Sequence, residues 1–581
     1  MTEQRRGRVV VGGIMALGAV MFLLGISWGL PNRAVDEYLF GSEPVWSGEQ
    51  VYLLSGGWDA GTGLGADVDR NPITDQSQPH LLNGSDRARA EIIRRYRLYS
   101  YQPDEMITFR ALGQMRSAGG LDPKLYQYGG LWMYPVGAML KIAQVVRFIP
   151  SPPEGASAIA FYLDNPGGFG RFYIIARLYA LMWGVAGVWA VFWIARRLTG
   201  DVAIAGATAC AYIFLPVVMS GAHEAKPHLP GAVLMLLAVM AAVKYLETGR
   251  HLWWILTGVA CGAAAGMVLS SVPIFLVVPV MAALRRKEKL GERIGTAAAA
   301  IAIGVVVYFI TNPYVAINLL NADSDGGRAL RSNFANSKAM YSASPRGIVN
   351  GIKLIGLGSS PLLAILGVAG GVVLIAIGRK QADVPVTSRW IAWLLLVPAG
   401  VFALQFLLLA SGKPAEYARF AILPAVALLL ISAWAAAVIS QGNPVFRQIL
   451  PALLVVAALP YGLSYLRAFV RDARVQTSRT MASDELPPTG RILLEHEPAP
   501  YNMPPVNVFR RDLVLVPKDA KPQAGSGDLL VYPVDVPVPN TPDGPRRLPF
   551  KEAPGSLDQF TTPITWANKT FAVEGLGAAA E

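Results

Sequence analysis

Residues 253–284 read WWILTGVACGAAAGMVLSSVPIFLVVPVMAAL, thirty-two consecutive positions without a charge. As a single helix the run would be about 48 Å long, far beyond a hydrocarbon layer of roughly 30 Å. Ser270-Ser271 followed by Pro273 breaks it, because proline lacks the backbone donor and its ring clashes with the preceding turn. The stretch is therefore two short spans, 253–269 and 272–284. Working outward, nine further apolar runs lie at 9–30, 178–194, 202–219, 231–243, 294–310, 361–377, 391–410, 420–439 and 449–466, which makes eleven expected spans. With 53% hydrophobic and 15% charged residues in 581, and a mean hydropathy of +0.40, the chain reads as a mainly α, polytopic membrane protein. The net charge of +12 comes from short clusters between apolar runs rather than one basic face, which argues against a nucleic-acid partner. Cys210 and Cys261 both sit inside apolar runs, so neither a disulfide framework nor a thiolate metal site is indicated.

Arg5, Arg6 and Arg8 precede the first run, and Pro31-Asn32-Arg33 after it offers no small-x-small cleavage site, so residues 1–30 read as an uncleaved anchor. With the amino terminus inside, the short inner segments carry sixteen Lys and Arg, from Arg5 through Arg285 and Arg293 to Arg447. The short outer segments carry three, Lys226, Lys413 and Arg419. The moderately apolar stretch 128–146 would invert every later loop if counted as a span. It reads instead as a helix lying in the membrane interface, with Trp132, Met133, Tyr134, Leu140 and Val145 toward lipid and Lys141 and Arg147 toward headgroups. The expected domains are the anchor, a large first outer loop (31–171), a polytopic domain (172–467) and a small proline-rich outer domain (468–581). Strands are expected in that last domain at 492–494, 513–516 and 529–534.

Every unusual polar stretch then falls on the outer side. Gln102-Pro103-Asp104-Glu105 places two adjacent carboxylates just after a proline in the first outer loop, where a membrane enzyme would put its chemistry. A second pair, Asp36-Glu37, competes for the catalytic role. Lys226, Arg177 and Arg419 each stand at the outer end of a span, where a charge is costly unless it has a partner; Arg419 has Glu416 nearby in sequence. His223, Glu224 and His228 are metal-ligand types, but Pro227 disrupts helical spacing and no fourth ligand is evident, which disfavours zinc. A non-catalytic transporter or flippase is the rival class. It should show internal repeats and mid-membrane charges, whereas this chain has no repeat and keeps its ionisable residues at span ends.

The run Gln102-Pro103-Asp104-Glu105, then Leu121-Asp122-Pro123, then Tyr126-Gln127-Tyr128-Gly129-Gly130-Leu131 resembles the first outer loop of the polyprenyl-phosphate-sugar-dependent GT-C glycosyltransferases, the clan of protein O-mannosyltransferases and aminoarabinose transferases. Arg177, the segment 220–230, Asn312-Pro313-Tyr314 and Tyr417-Ala418-Arg419-Phe420 follow in the same order. Asp472-Ala473-Arg474 with Leu486-Pro487-Pro488-Thr489-Gly490 is similar to the opening of the family's outer tail. The resemblance covers residues 9–505. It implies an enzyme of the inner membrane that moves a hexosyl or pentosyl unit, with inversion, from a polyprenyl phosphate to a lipid, glycan or protein acceptor on the non-cytoplasmic face. Asp104 matches the family's catalytic acid and would be the general base, with Glu105 beside it. Lys226, Arg177 and Arg419 would hold the donor phosphate, and Tyr128, His223, Glu224 and His228 the substrates. Where relatives show Glu-Ala-Arg-x-Asp, this chain has Glu224-Ala225-Lys226-Pro227-His228. Losing the second acid weakens a divalent-metal site, and no cofactor is expected.

Overall fold

The computed structural model describes residues 3–55, 79–377, 386–412, 416–441, 444–474, 477–486, 490–494, 498–516, 528–533, 567 and 571–576. Lys413, Pro487-Pro488-Thr489, the side chain of Glu416 and much of the proline-rich tail lie outside the described residues. Among the described residues seven helices are long and apolar enough to cross a bilayer: Glu3–Leu23, Pro166–Thr199, His228–Thr248, Leu290–Thr311, Val386–Leu409, Arg419–Ser440 and Pro444–Asp472. Two bent pairs, Val202–Ile213 with Pro216–His223 (55°) and Pro345–Gly358 with Pro361–Val373 (103°), raise the number to nine if each is one span. With the shorter apolar helices His251–Met267 and Leu269–Leu284, these elements fall on the eleven apolar runs of the sequence. The first helix starts earlier and stops sooner than the run 9–30, because Gly25 takes φ +80°, a left-handed conformation that ends it.

The chain forms two compact units, residues 1–24, 125–136 and 177–466 in the first and 25–124, 137–176 and 467–581 in the second. The first unit is helical. Its 253–284 stretch breaks where the sequence indicates: the helix His251–Met267 ends at Val268 in extended conformation, a 3-10 turn spans Leu269–Leu276 around Pro273, and Val277–Leu284 resumes as α-helix. The backbone groups freed at the break are taken by an extended strap. Gly129 N–H donates to Met267 O (3.0 Å), Leu269 N–H to Gln127 O (3.1 Å), and Tyr128 bridges Val268. The approach is so close that a Cβ on Gly129 would stand 1.9 Å from Gly266 O.

That strap corrects the reading of 128–146. A helix does form, Gly130–Val145, but Trp132 and Met133 are fully buried and Leu140 nearly so. The Trp132 ring lies 5.6 Å from Tyr179, whose hydroxyl donates to Leu131 O (2.9 Å). Among the five side chains expected to face lipid, Val145 alone is fully exposed, Tyr134 being half-buried. Lys141 and Arg147 are exposed as expected.

The second unit gathers short helices and one five-stranded sheet. Ile492–Leu494 lies parallel to both Leu513–Leu515 and Asp528–Pro533, with Leu493 opposite Val514 and Leu530. His80–Leu81 from the first loop joins one edge antiparallel, and Phe571–Leu576 the other. Asn83 fixes that union: its Oδ1 accepts from Leu513 N (3.0 Å) while its Nδ2 donates to Val508 O (2.8 Å). The first loop and the tail are therefore parts of one folded body, built on a strand pairing more than four hundred residues apart.

Gly129→Ala should sharply lower the yield of monodisperse protein and its melting temperature in detergent, since the added methyl meets backbone rather than a movable side chain. Gly400→Ala, which opens onto empty space, should leave both within error of wild type.

Candidate active site

In the first unit the helix Pro216–His223 stops at Glu224, which is extended, and a new helix begins at His228 after Pro227. The intervening peptide closes on itself through Lys226 N–H to Glu224 O (2.8 Å). Non-helical backbone at membrane depth survives only where protein surrounds it, and here it does: His223 is 0%, Glu224 8%, Lys226 2% and His228 6% exposed. Lys226 Nζ lies 3.5 Å from Glu224 Oε2, so the buried ammonium is offset by a carboxylate two residues away. Both nitrogens of His223 lie against backbone carbonyls, Nδ1 by Met219 O and Nε2 by Leu24 O, each at 2.8 Å, and the protonated one donates. His223 therefore clamps two elements. Arg177, on the helix Pro166–Thr199, is fully buried and within electrostatic reach of His223.

The His228 ring is held edge-on by Tyr128 (5.9 Å) and Phe420 (4.7 Å). Beside it Ser270, Ser271, Arg419 and Phe420 line a small cavity of about 20 Å³, enough for one water. The Ser271 hydroxyl is buried there without a hydrogen-bond partner among the described residues. Among the described residues no three His, Cys, Asp or Glu side chains are grouped as metal ligands.

In the second unit Asp104 occupies the N-cap position of the helix Glu105–Ser117, and its N–H donates to Gln102 Oε1 (2.7 Å). The two acids diverge. Glu105 is fully buried and accepts from Ser100 Oγ (2.5 Å), whereas Asp104 is half-buried at the helix end, where the helix dipole favours an anion. Tyr101, three residues before Asp104, is braced by the tail: its hydroxyl meets Thr477 Oγ1 (3.2 Å) and the Arg479 guanidinium lies 3.9 Å over its ring. Burial pushes the Tyr101 hydroxyl up, so the ring stays a neutral, electron-rich face for that cation. Arg479 in turn donates to Pro500 O (3.0 Å) and Tyr501 O (2.8 Å) and pairs with Asp472 (3.6 Å). The competing acid Asp36 has both oxygens held by Arg97, at 2.9 and 3.0 Å, with Arg97 fully buried; Glu37 is exposed.

Residues 169–313, which hold Arg177 and the whole buried run from His223 to His228, match the family described as dolichyl-phosphate-mannose-protein mannosyltransferases. That match, over about a quarter of the chain, supports a glycosyltransferase of the GT-C kind. Among solved structures it is similar to ArnT from Cupriavidus metallidurans bound to undecaprenyl phosphate, at 14% identity and a TM-score of 0.39, over 84% of this chain and 98% of that one. It is also similar to the apo state of that ArnT, at 14% identity and a TM-score of 0.26, over 83% and 96%. No curated protein matches it. The match does not favour the rival reading as a transporter.

In the structure Glu224 with Lys226, and Tyr128 with His228, are neighbours, and His228 and Arg419 line one cavity. His223 is held against two backbone carbonyls and Asp36 is locked in an ion pair. Ser271 had been legible only as part of a helix break; two serines inside an apolar run were the signal that a polar cavity lay there. Asp36→Asn should destabilise the enzyme by about 3 kcal/mol, the scale on which breaking a buried pair strands the remaining charge. Thermal unfolding in detergent checks this, and an unchanged midpoint would return Asp36 to the list of available bases.

Proposed function

We propose that the enzyme moves a hexosyl or pentosyl unit from a polyprenyl-phosphate sugar to a hydroxyl of a lipid, glycan or protein acceptor, on the non-cytoplasmic face of the inner membrane. The observation that carries the reading is the family match over a segment whose non-helical backbone holds a buried lysine. As the acceptor oxygen bonds to the anomeric carbon, the bond from that carbon to the phosphate oxygen breaks, and the electron pair leaves on the polyprenyl phosphate. The acceptor proton goes to the carboxylate of Asp104, a contribution of about 10²- to 10⁴-fold. Glu105, tied to Ser100, holds the first turn of the helix that presents Asp104. Lys226, Arg177 and Arg419 supply cations for the charge that develops on the leaving phosphate. His228 and Tyr128 present ring edges to substrate, and Glu224 sets the position of Lys226. The reading invokes no divalent ion, and the pairing of Glu224 with Lys226 supports it.

The test is transfer from a panel of polyprenyl-phosphate sugars by purified enzyme in lipid. One donor should support transfer, chelation by EDTA should leave the rate unchanged, and Asp104→Asn should cut it at least about 100-fold with folding and donor binding intact. Transfer by Asp104→Asn at the wild-type rate, or activity lost to EDTA and restored by a divalent ion, would contradict the reading.

A further inference from the structure

We propose that an anionic phospholipid of the surrounding bilayer docks its phosphate in a pocket of the second unit, a site distinct from the residues assigned to donor and acceptor. The pocket, about 260 Å³, is lined by Arg116 from the helix Glu105–Ser117, by Lys141, Gln144 and Val145 from the helix Gly130–Val145, and by Ser151 and Pro152. Its wall is built by a chain reversal. Arg147 takes φ +60°, Ile149 N–H bonds back to Ala143 O (3.1 Å), and Tyr162 donates to Pro150 O (2.8 Å), which holds the 149–152 segment in place. Two cations thus face one space from different helices. Neither forms a salt bridge among the described residues, and Glu154, the acid on the adjoining loop, does not line the pocket.

What sits beside the cations names the occupant. Ile142 is 62%, Val145 72%, Val146 66% and Phe148 40% exposed, an apolar ridge at the mouth of a polar pocket. Exposed Arg147 and Arg171 flank the ridge, the latter with its guanidinium 5.4 Å over the Phe148 ring. Apolar side chains rimmed by Lys and Arg are the pattern of a surface that meets acyl chains and anionic headgroups together. A free anion would leave the ridge uncovered. A zwitterionic headgroup would bring its own cation against Arg116 and Lys141, so the preference is for net negative charge.

The test uses full-length protein in nanodiscs of phosphatidylcholine with one fifth phosphatidylglycerol, released gently and read by native mass spectrometry. Wild type should retain phosphatidylglycerol about tenfold above its bulk share, as two cations at a membrane surface allow. Arg116→Gln with Lys141→Gln should bring the ratio to the bulk value. Gln144→Glu, which keeps both cations and adds a repelling charge, should lower it as well and guards against misfolding of the double variant. Retention unchanged in these variants would overturn the proposal. So would displacement by millimolar inorganic phosphate, which would make this a free-anion site, or by equimolar polyprenyl phosphate, which would give the pocket to the donor.

Discussion

Inside hydrocarbon a peptide N–H or C=O has no water to bond, and a group left unpaired costs several kcal/mol. That constraint governs where this chain can depart from helix. The break at Val268 is possible because Gly129 N donates to Met267 O and Leu269 N to Gln127 O across it, and the bend at Asn312 because its Oδ1 accepts from Gly130 N (2.8 Å). One extended strap, residues 127–130, thus serves two irregular points, and the aromatic just before its glycines, Tyr128, is delivered against His228. The irregular backbone of a membrane enzyme is where polar side chains can be aimed, and here it holds the buried run from His223 to His228.

Charge follows the same economy. A buried ion needs a partner, and the partner determines what the ion can still do. Arg97 spends its fork on both oxygens of Asp36, and Arg479 is spread over two carbonyls, a carboxylate and the Tyr101 ring; both are fixed parts of the fold. Lys226 stands instead on the irregular backbone of residues 224–227, paired there with Glu224 at 3.5 Å. Asp104 and Glu105 divide in a parallel way, Glu105 locked to Ser100 and Asp104 half-buried at a helix start.

Much of the helical core was legible in the sequence because length, apolarity and Pro273 are local signals, and so were the strands at 492–494 and 513–515. What stayed illegible depended on distant partners. The apolar composition of 130–145 suits a lipid-facing helix and a buried one equally, and only the docking of Gly129 on Gly266 and of Trp132 on Tyr179 decides. Asp36 looked like a rival base because Arg97 is 61 residues away. The joining of His80–Leu81 to the tail's sheet rests on Asn83, which no periodicity marks. Among the site residues, Asp104 and Glu105 were separable in principle, since neighbours at a helix start point apart, but which one turns inward required Ser100.

The central claim is a single displacement at the anomeric carbon, with a carboxylate taking the acceptor proton and polyprenyl phosphate leaving. The most direct measurement is the anomeric configuration of the product by nuclear magnetic resonance, together with the polyprenyl phosphate released per sugar transferred. The account predicts an inverted configuration and one polyprenyl phosphate for each sugar. A product with the donor's configuration would require a glycosylated intermediate on the protein and would contradict it.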